Sequence, residues 1–324
     1  MSTVPPEPPP QPYRWALTHA PGGPPPDRLG SLTEGAERPR LWYLPELLDC
    51  TGKVLARSRG ADLCFVGRSL DSMYDLLTGA FEGSPREGGL LRLPLSLRPD
   101  RGEIPARTAR LRGHLAAAGL APCDLARRTH PVALVDLVAG GGTYDTLYGA
   151  LAEWVRESRE PWSAIRRKLI FVGVTARERT SPHTWRWQQH TEDGWARALP
   201  AGHVVGVSLH PWVWSHFGNH QAKLQPSFPP RRWFDAHAAE PWHGPDLAAA
   251  LAESLALVEA GRGRRVREAL VRVIGREPGF ADREVRALIT ALRRRPPSRP
   301  RSGSRRSAGR VRGRVDRPGG VACR

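Results

Sequence analysis

The sequence predicts an α/β protein built on a mostly parallel sheet, and three observations carry that expectation. Asp62–Gly67, Val132–Val138 and Lys168–Val174 are short runs that are apolar almost throughout, as strands covered on both faces are. The first two run directly into segments with apolar residues three and four apart, the spacing of a helix with one buried face. Strands that alternate with helices build a parallel sheet, and the loops after such strands gather on one edge, where ligands bind.

The elements follow in chain order. Residues 1–40 hold eleven prolines and no apolar period, and read as an unordered head. Dense apolar sequence begins at Leu41-Trp42-Tyr43-Leu44-Pro45. After the strand at Asp62–Gly67, the turn Arg68-Ser69-Leu70-Asp71-Ser72 leads into a helix marked by Met73, Leu76, Leu77 and Phe81. Asp71 or Ser72 can cap that helix. Asp71 and Asp75 read as an N-terminal carboxylate and a helix-face charge.

Leu90–Leu97 alternates leucine with Arg92, Pro94, Ser96 and Arg98, which predicts a strand with one wet face. Pro94 cannot donate to a ladder, so the strand is expected at a sheet edge. A helix is expected over Ile104–Ala118 and another over 144–157, the latter from Leu147, Leu151, Trp154 and Val155. Residues 181–245 form a Trp/His-rich extension, since 181–243 alone hold seven of the eleven tryptophans and eight of the eleven histidines. One strand, Val204–Leu209, is expected within it. Trp212, Trp214, Phe217, Phe228 and Trp233 suit core packing more than base stacking. Asn219, Gln221 and Lys223 are its candidate polar contacts. Residues 246–294 read as helices, with breaks at Gly275 and Pro296. The expected organisation is therefore a head (1–40), an α/β core (41–180), the extension (181–245), a helical segment (246–294) and an Arg-rich unordered tail (295–324).

The formal charge of +17 is mostly a property of the C-terminal end. Residues 293–324 hold twelve arginines and one aspartate, a net +11. Such a tail can bind nucleic acid or another polyanion through counterion release, or simply remain solvated. Forty-six arginines against three lysines point to a GC-rich bacterial genome. Cys50, Cys64, Cys123 and Cys323 show no metal-ligand spacing, and no disulfide framework is expected. No signal peptide or membrane span is evident, so a cytoplasmic location is expected.

The chemistry concentrates in Val132–Thr143, a strand ending in an acid and followed by Gly140-Gly141-Gly142. Glycines let bare backbone N–H groups face a phosphate, and the following helix start adds partial positive charge. A tight turn that merely needs glycine is the plainer alternative. The sequence has no G-x-x-x-x-G-K-[ST], and Asp145 stands where a dinucleotide fingerprint needs its third glycine.

The stretch Val132–Tyr144 resembles the phosphoribosyl-diphosphate (PRPP) motif of the phosphoribosyltransferase superfamily, and Leu63–Ser72 resembles that family's earlier pyrophosphate loop. The resemblance covers residues 60–175 and implies a type I phosphoribosyltransferase-like sheet. By position it implies that Asp136 meets ribose hydroxyls, directly or through Mg²⁺. It implies that the turn Leu137-Val138-Ala139-Gly140-Gly141-Gly142-Thr143 holds the 5′-phosphate, and that Arg68 and Ser69 meet pyrophosphate. Asp145 would assist proton transfer to a base, although a carboxylate favourable at a helix start is the preferred reading. Two departures stand out: Leu137 replaces the second of two adjacent acids, and glycines replace the usual hydroxyl side chains. The expected activity is Mg²⁺-assisted pentosyl transfer between PRPP or a nucleotide and a base acceptor. The alternative is a non-catalytic nucleotide-sensing or interaction protein on the same fold.

Overall fold

A computed structural model of the chain describes residues 9–18, 26–97, 105–177 and 186–294. The Arg-rich tail lies outside them. Five parallel strands form one sheet in the order β2-β1-β3-β4-β5: β1 (Asp62–Val66), β2 (Leu90–Leu93), β3 (Val132–Leu137), β4 (Leu169–Ala176) and β5 (Val204–Leu209). The helices are α1 (Leu44–Arg57), α2 (Asp71–Phe81), α3 (Pro105–Ala117), α4 (Pro122–Arg127), α5 (Gly142–Ser158), α6 (Trp162–Ile165), α7 (Pro211–Ser215), α8 (Leu247–Arg262), α9 (Arg264–Ile274) and α10 (Arg283–Arg293).

Alternate strand residues feed two cores. Leu63, Phe65, Ala133 and Val135 pack with α1, α2, α9 and α10, whereas Cys64, Val66, Val132 and Leu134 pack with α3, α4, α5 and the tryptophans of the extension. This follows from the two-residue period of a strand. The result is a Rossmann-like, doubly wound α/β sheet. Its order reverses between β1 and β3, so the chain leaves those neighbouring strands toward opposite faces, and a crevice is expected there.

Helix α8 packs on α2 at close range. A Cβ built on Gly79 would lie 1.9 Å from the Val258 carbonyl oxygen, and one on Gly261 would lie 2.0 Å from that of Leu76. Only glycine permits that approach.

Three expectations are corrected. The edge strand stops at Leu93 rather than Leu97, because Pro94 offers no N–H and the Leu95 amide folds back to the Leu93 carbonyl at 2.7 Å. The core does not end at 180, since β5 pairs with β4 and Trp187, Trp195, Phe217, Phe228 and Trp233 are buried in the two cores. The head is not wholly unordered, for within 9–18 and 26–40 it packs against the body. Trp15, Leu17, Leu29 and Leu32 lie on Leu247 and Leu251 of α8, and the Tyr13 amide donates to the Ala238 carbonyl at 3.0 Å. A few aromatic and aliphatic side chains among the prolines suffice to bury this segment.

Candidate functional site

The turns after β1 and β3 lie side by side at the carboxyl edge of the sheet, with residues 94–97 touching both. The Leu95 carbonyl faces Gly67, and the Thr143 hydroxyl reaches the Leu97 carbonyl at 3.5 Å. Residues 216–228 cover the same edge: Gly218 backs onto Leu137, and the Ser96 amide donates to the Phe228 carbonyl at 3.0 Å. The sequence thus brings the Arg68-Ser69 turn and the glycine turn to one edge of the sheet.

On the β3 side, Gly141 has φ +95°, a conformation that glycine adopts without strain. It lets the chain turn sharply into α5, with Trp187 packed 3.4 Å from where a Cβ would stand. Ala139, Gly140 and Gly142 are exposed, and a Cβ at Gly140 or Gly142 would meet nothing. The first helical i→i−4 bond of α5 is from Asp145 to Gly141, and no side chain caps the helix. The amides of Gly142 and Thr143 precede that bond, so the helix itself offers them no such acceptor. The Tyr144 hydroxyl fixes this end of the helix by lying between the Leu134 and Val172 carbonyls, 2.9 and 2.8 Å away, either of which can accept its one proton.

Asp136 is buried. It shares the face of Leu134 and points toward the α5 layer, 7% exposed, with Oδ1 accepting the Leu137 amide at 2.7 Å. Burial pushes its carboxyl up to about 8, against the opposing effect of that amide. A Mg²⁺ held by Asp136 does not fit this donor set. Its acid favours the protonated form at neutral pH, Leu137 offers no second oxygen, and no group of three or more His, Cys, Asp or Glu suited to a metal occurs among the described residues. Leu137 packs into the α1/α2 core. Asp145 is engaged elsewhere: its Oδ1 accepts the Trp195 Nε1–H at 2.6 Å and the Glu192 amide at 3.2 Å, tying α5 to the 192–198 turn.

On the β1 side, Arg68 donates from Nη1 to the Gln225 carbonyl at 2.8 Å. Lys223 donates to the Ser69 carbonyl at 3.3 Å and to Gln221 Oε1 at 2.6 Å. Burial, with Arg68 and Arg14 nearby, lowers the Lys223 amine to about 8, although Asp71 and Glu253 oppose the shift. Gln221 also donates to Glu253 at 2.7 Å and to the Ser72 hydroxyl.

Behind this turn lies a buried ionic cluster. Arg14 pairs with Asp71 at 2.9 Å and with Asp75, while Arg92 reaches Asp71 at 3.2 Å. Both guanidinium groups lie over the Tyr74 ring, 5.3 and 5.5 Å from its centroid. Burial alone would raise the Asp71 carboxyl, but the two arginines hold it below its usual value. At Asp75 burial wins, with Asp71 adding to it, and the carboxyl is raised despite Arg14. Asp75 Oδ2 is buried without a partner and borders a cavity of about 10 Å³, together with Ser72, Gln221, Lys223 and Glu253. That is room for about one water.

Sequence reasoning missed Arg14, Arg92 and Glu253 in this cluster, and Tyr43, whose hydroxyl donates to Glu253. Only the Asp71/Asp75 spacing, one helical turn, signalled that two acids share a face and need counter-charges. Compared with known protein families, curated proteins and solved structures, the chain matches none. Among the described residues, no helix is long and apolar enough to cross a membrane.

Proposed function

We propose that the chain binds a phosphorylated ribose, PRPP or a nucleotide, in the crevice between the β1–α2 and β3–α5 turns. The observation that carries the reading is the exposed, uncapped glycine turn at the start of the 17-residue helix α5, set at the point where the strand order reverses. Backbone N–H groups of Gly140–Thr143 take the 5′-phosphate. Arg68, Ser69 and Lys223, on the opposite side, suit a second phosphate group. This is the arrangement that the resemblance to phosphoribosyltransferases implies.

Pentosyl transfer to or from a base is the reaction such a placement serves. It proceeds by displacement at the anomeric carbon, with the departing diphosphate stabilised by fixed donors and cations. A second reading is favoured by Leu137 and Asp136. The first is locked into the core and the second is turned toward α5, so the acids that would face the ribose are not in the crevice. On that reading the protein senses a nucleotide and releases no pyrophosphate.

Titration calorimetry of the full chain with PRPP, ribose 5-phosphate and AMP, with and without Mg²⁺, tests the proposal. Saturable heat is expected, and Gly142→Asp should abolish it, because a carboxylate would then occupy the phosphate position. That variant should fold normally, since an acid at a helix start is stabilising by about 0.3–1 kcal/mol. Absence of heat with every ligand, or equal heat in Gly142→Asp, refutes the site. Release of pyrophosphate from PRPP in the presence of a base selects transfer, and binding without release selects sensing.

A further inference from the structure

A second cavity lies between α9 and α10, and none of the crevice residues lines it. Its volume is about 520 Å³, in the range of pockets that hold ligands of nucleotide size. Arg264, Arg267, Arg272 and Arg293 line it, with the apolar Val271 and Leu292 at its floor. Glu268 is the one acid on the wall, and Arg264 holds it at 2.7 Å. Arg267 is only 8% exposed. It donates from Nη1 to the Arg294 carbonyl, and its Nε is buried with no partner. A buried guanidinium N–H without an acceptor is costly, and an oxyanion in the groove would satisfy it.

The charge around the groove extends its reach. Residues 264–294 hold nine arginines and four acids, and residues 295–324 add ten arginines and one aspartate. A small free anion would need only the groove. Several arginines on one wall, within a described stretch of nine arginines against four acids, match a chain of phosphates, and the planar arginine fork suits phosphate oxygens in pairs.

We infer that the α9–α10 groove seats the phosphodiester backbone of a nucleic acid, with Arg267, Arg272 and Arg293 on its phosphates. Arg272 and Arg293 are exposed, so charge reversal there leaves the fold intact, which circular dichroism checks. The probe is a fluorescein-labelled 20-base-pair DNA, read by anisotropy over a salt series with the full chain. Arg272→Glu with Arg293→Glu should weaken binding by about tenfold or more at low salt and lower the slope of log K against log salt by about two. The control is Arg310→Glu with Arg312→Glu, which changes the net charge equally but lies in the tail. A clearly smaller effect of the tail pair supports the groove. Equal effects of the two pairs would show diffuse attraction to net charge and overturn the inference. Unlabelled DNA should displace the probe far better than polyglutamate of equal charge. Equal displacement by polyglutamate, or displacement by inorganic phosphate at matched ionic strength, would also overturn it.

Discussion

The two turns at the carboxyl edge of the sheet meet the same problem with opposite solutions. Each joins a parallel strand to a helix and leaves the first amides of that helix without helical acceptors. After β1, side chains fill the space: Asp71, Asp75, Arg14, Arg92 and Lys223 interlock, and the cavity that remains is about 10 Å³. After β3, side chains withdraw: Gly140 and Gly142 face open space, and Asp136 and Asp145 turn toward the α5 layer. A fold can thus surround one helix start with charged side chains and leave its neighbour bare, although neither helix carries a side-chain cap. Stability and binding should separate accordingly, the first residing at the β1 turn and the second at the β3 turn.

The largest effect is expected from Arg14→Ala. Both of its partners are buried acids, with side chains 7% and 4% exposed. Removing one member of a buried ionic cluster costs about 3–5 kcal/mol, because the charge left behind is uncompensated. Urea unfolding should show the loss, and Arg14→Ala combined with Asp75→Asn should recover part of it. A loss below about 1 kcal/mol would mean that the head is a passive covering and that the contrast between the turns is weaker than drawn.

Asp136 provides the next test, through pH. In the folded chain its carboxyl keeps its proton up to about 8, whereas an unfolded aspartate releases it near the ordinary value of 3.8. The folded state therefore binds the extra proton between those limits. Its contribution is greatest at low pH and is lost as pH rises through that window, at about 1.4 kcal/mol per pH unit. Asp136→Asn removes this slope. Unfolding free energies of both proteins from pH 4 to 8 should diverge, the wild type losing ground to the variant as pH rises. Parallel curves would place the Asp136 carboxylate in water, and so in the crevice.

Much of the frame was legible in the sequence, and the reasons it was legible are local. Continuous apolar runs marked β1, β3, β4 and β5, and three-four spacing marked α2, α5 and α8. Pro94 marked the sheet edge, and Gly140–Gly142 marked the open turn. What escaped depends on partners far along the chain. Arg14 meets Asp71 across 57 residues, from a segment whose prolines hide any period. The direction of Asp136 is set by which face β3 presents in its register with β1 and β4, and a continuous apolar strand does not announce its faces. α1, opened by Pro45, showed in the sequence only as dense apolar residues, because proline marks both helix starts and breaks.

Gly141→Ala probes the backbone of the open turn. Its φ of +95° lies outside the region that alanine adopts without strain, so a loss of about 1–2 kcal/mol is expected. Ligand heat should fall with it, because the turn must re-form to aim its amides. A variant as stable as wild type, with unchanged heat, would show that the turn tolerates another shape and that its geometry is not what selects phosphate.

The smallest effect expected is that of Asp145→Ala, and it draws the sharpest line between the two roles. Asp145 accepts the Trp195 indole N–H and the Glu192 amide. Losing an acceptor for a part-buried indole costs about 1–3 kcal/mol, and water reaching the exposed Glu192 amide keeps the loss near the lower figure. The carboxylate lies on the first turn of α5, so its removal also takes a negative charge from beside the phosphate position. If Asp145 only fastens α5 to the 192–198 turn, stability should fall by about 1 kcal/mol while PRPP heat stays equal or grows slightly, since like-charge repulsion is relieved. If PRPP or nucleotide binding falls instead, Asp145 takes part in the ligand's hydrogen bonding, and the acid withdrawn from the open turn in the free protein returns to it when the ligand arrives.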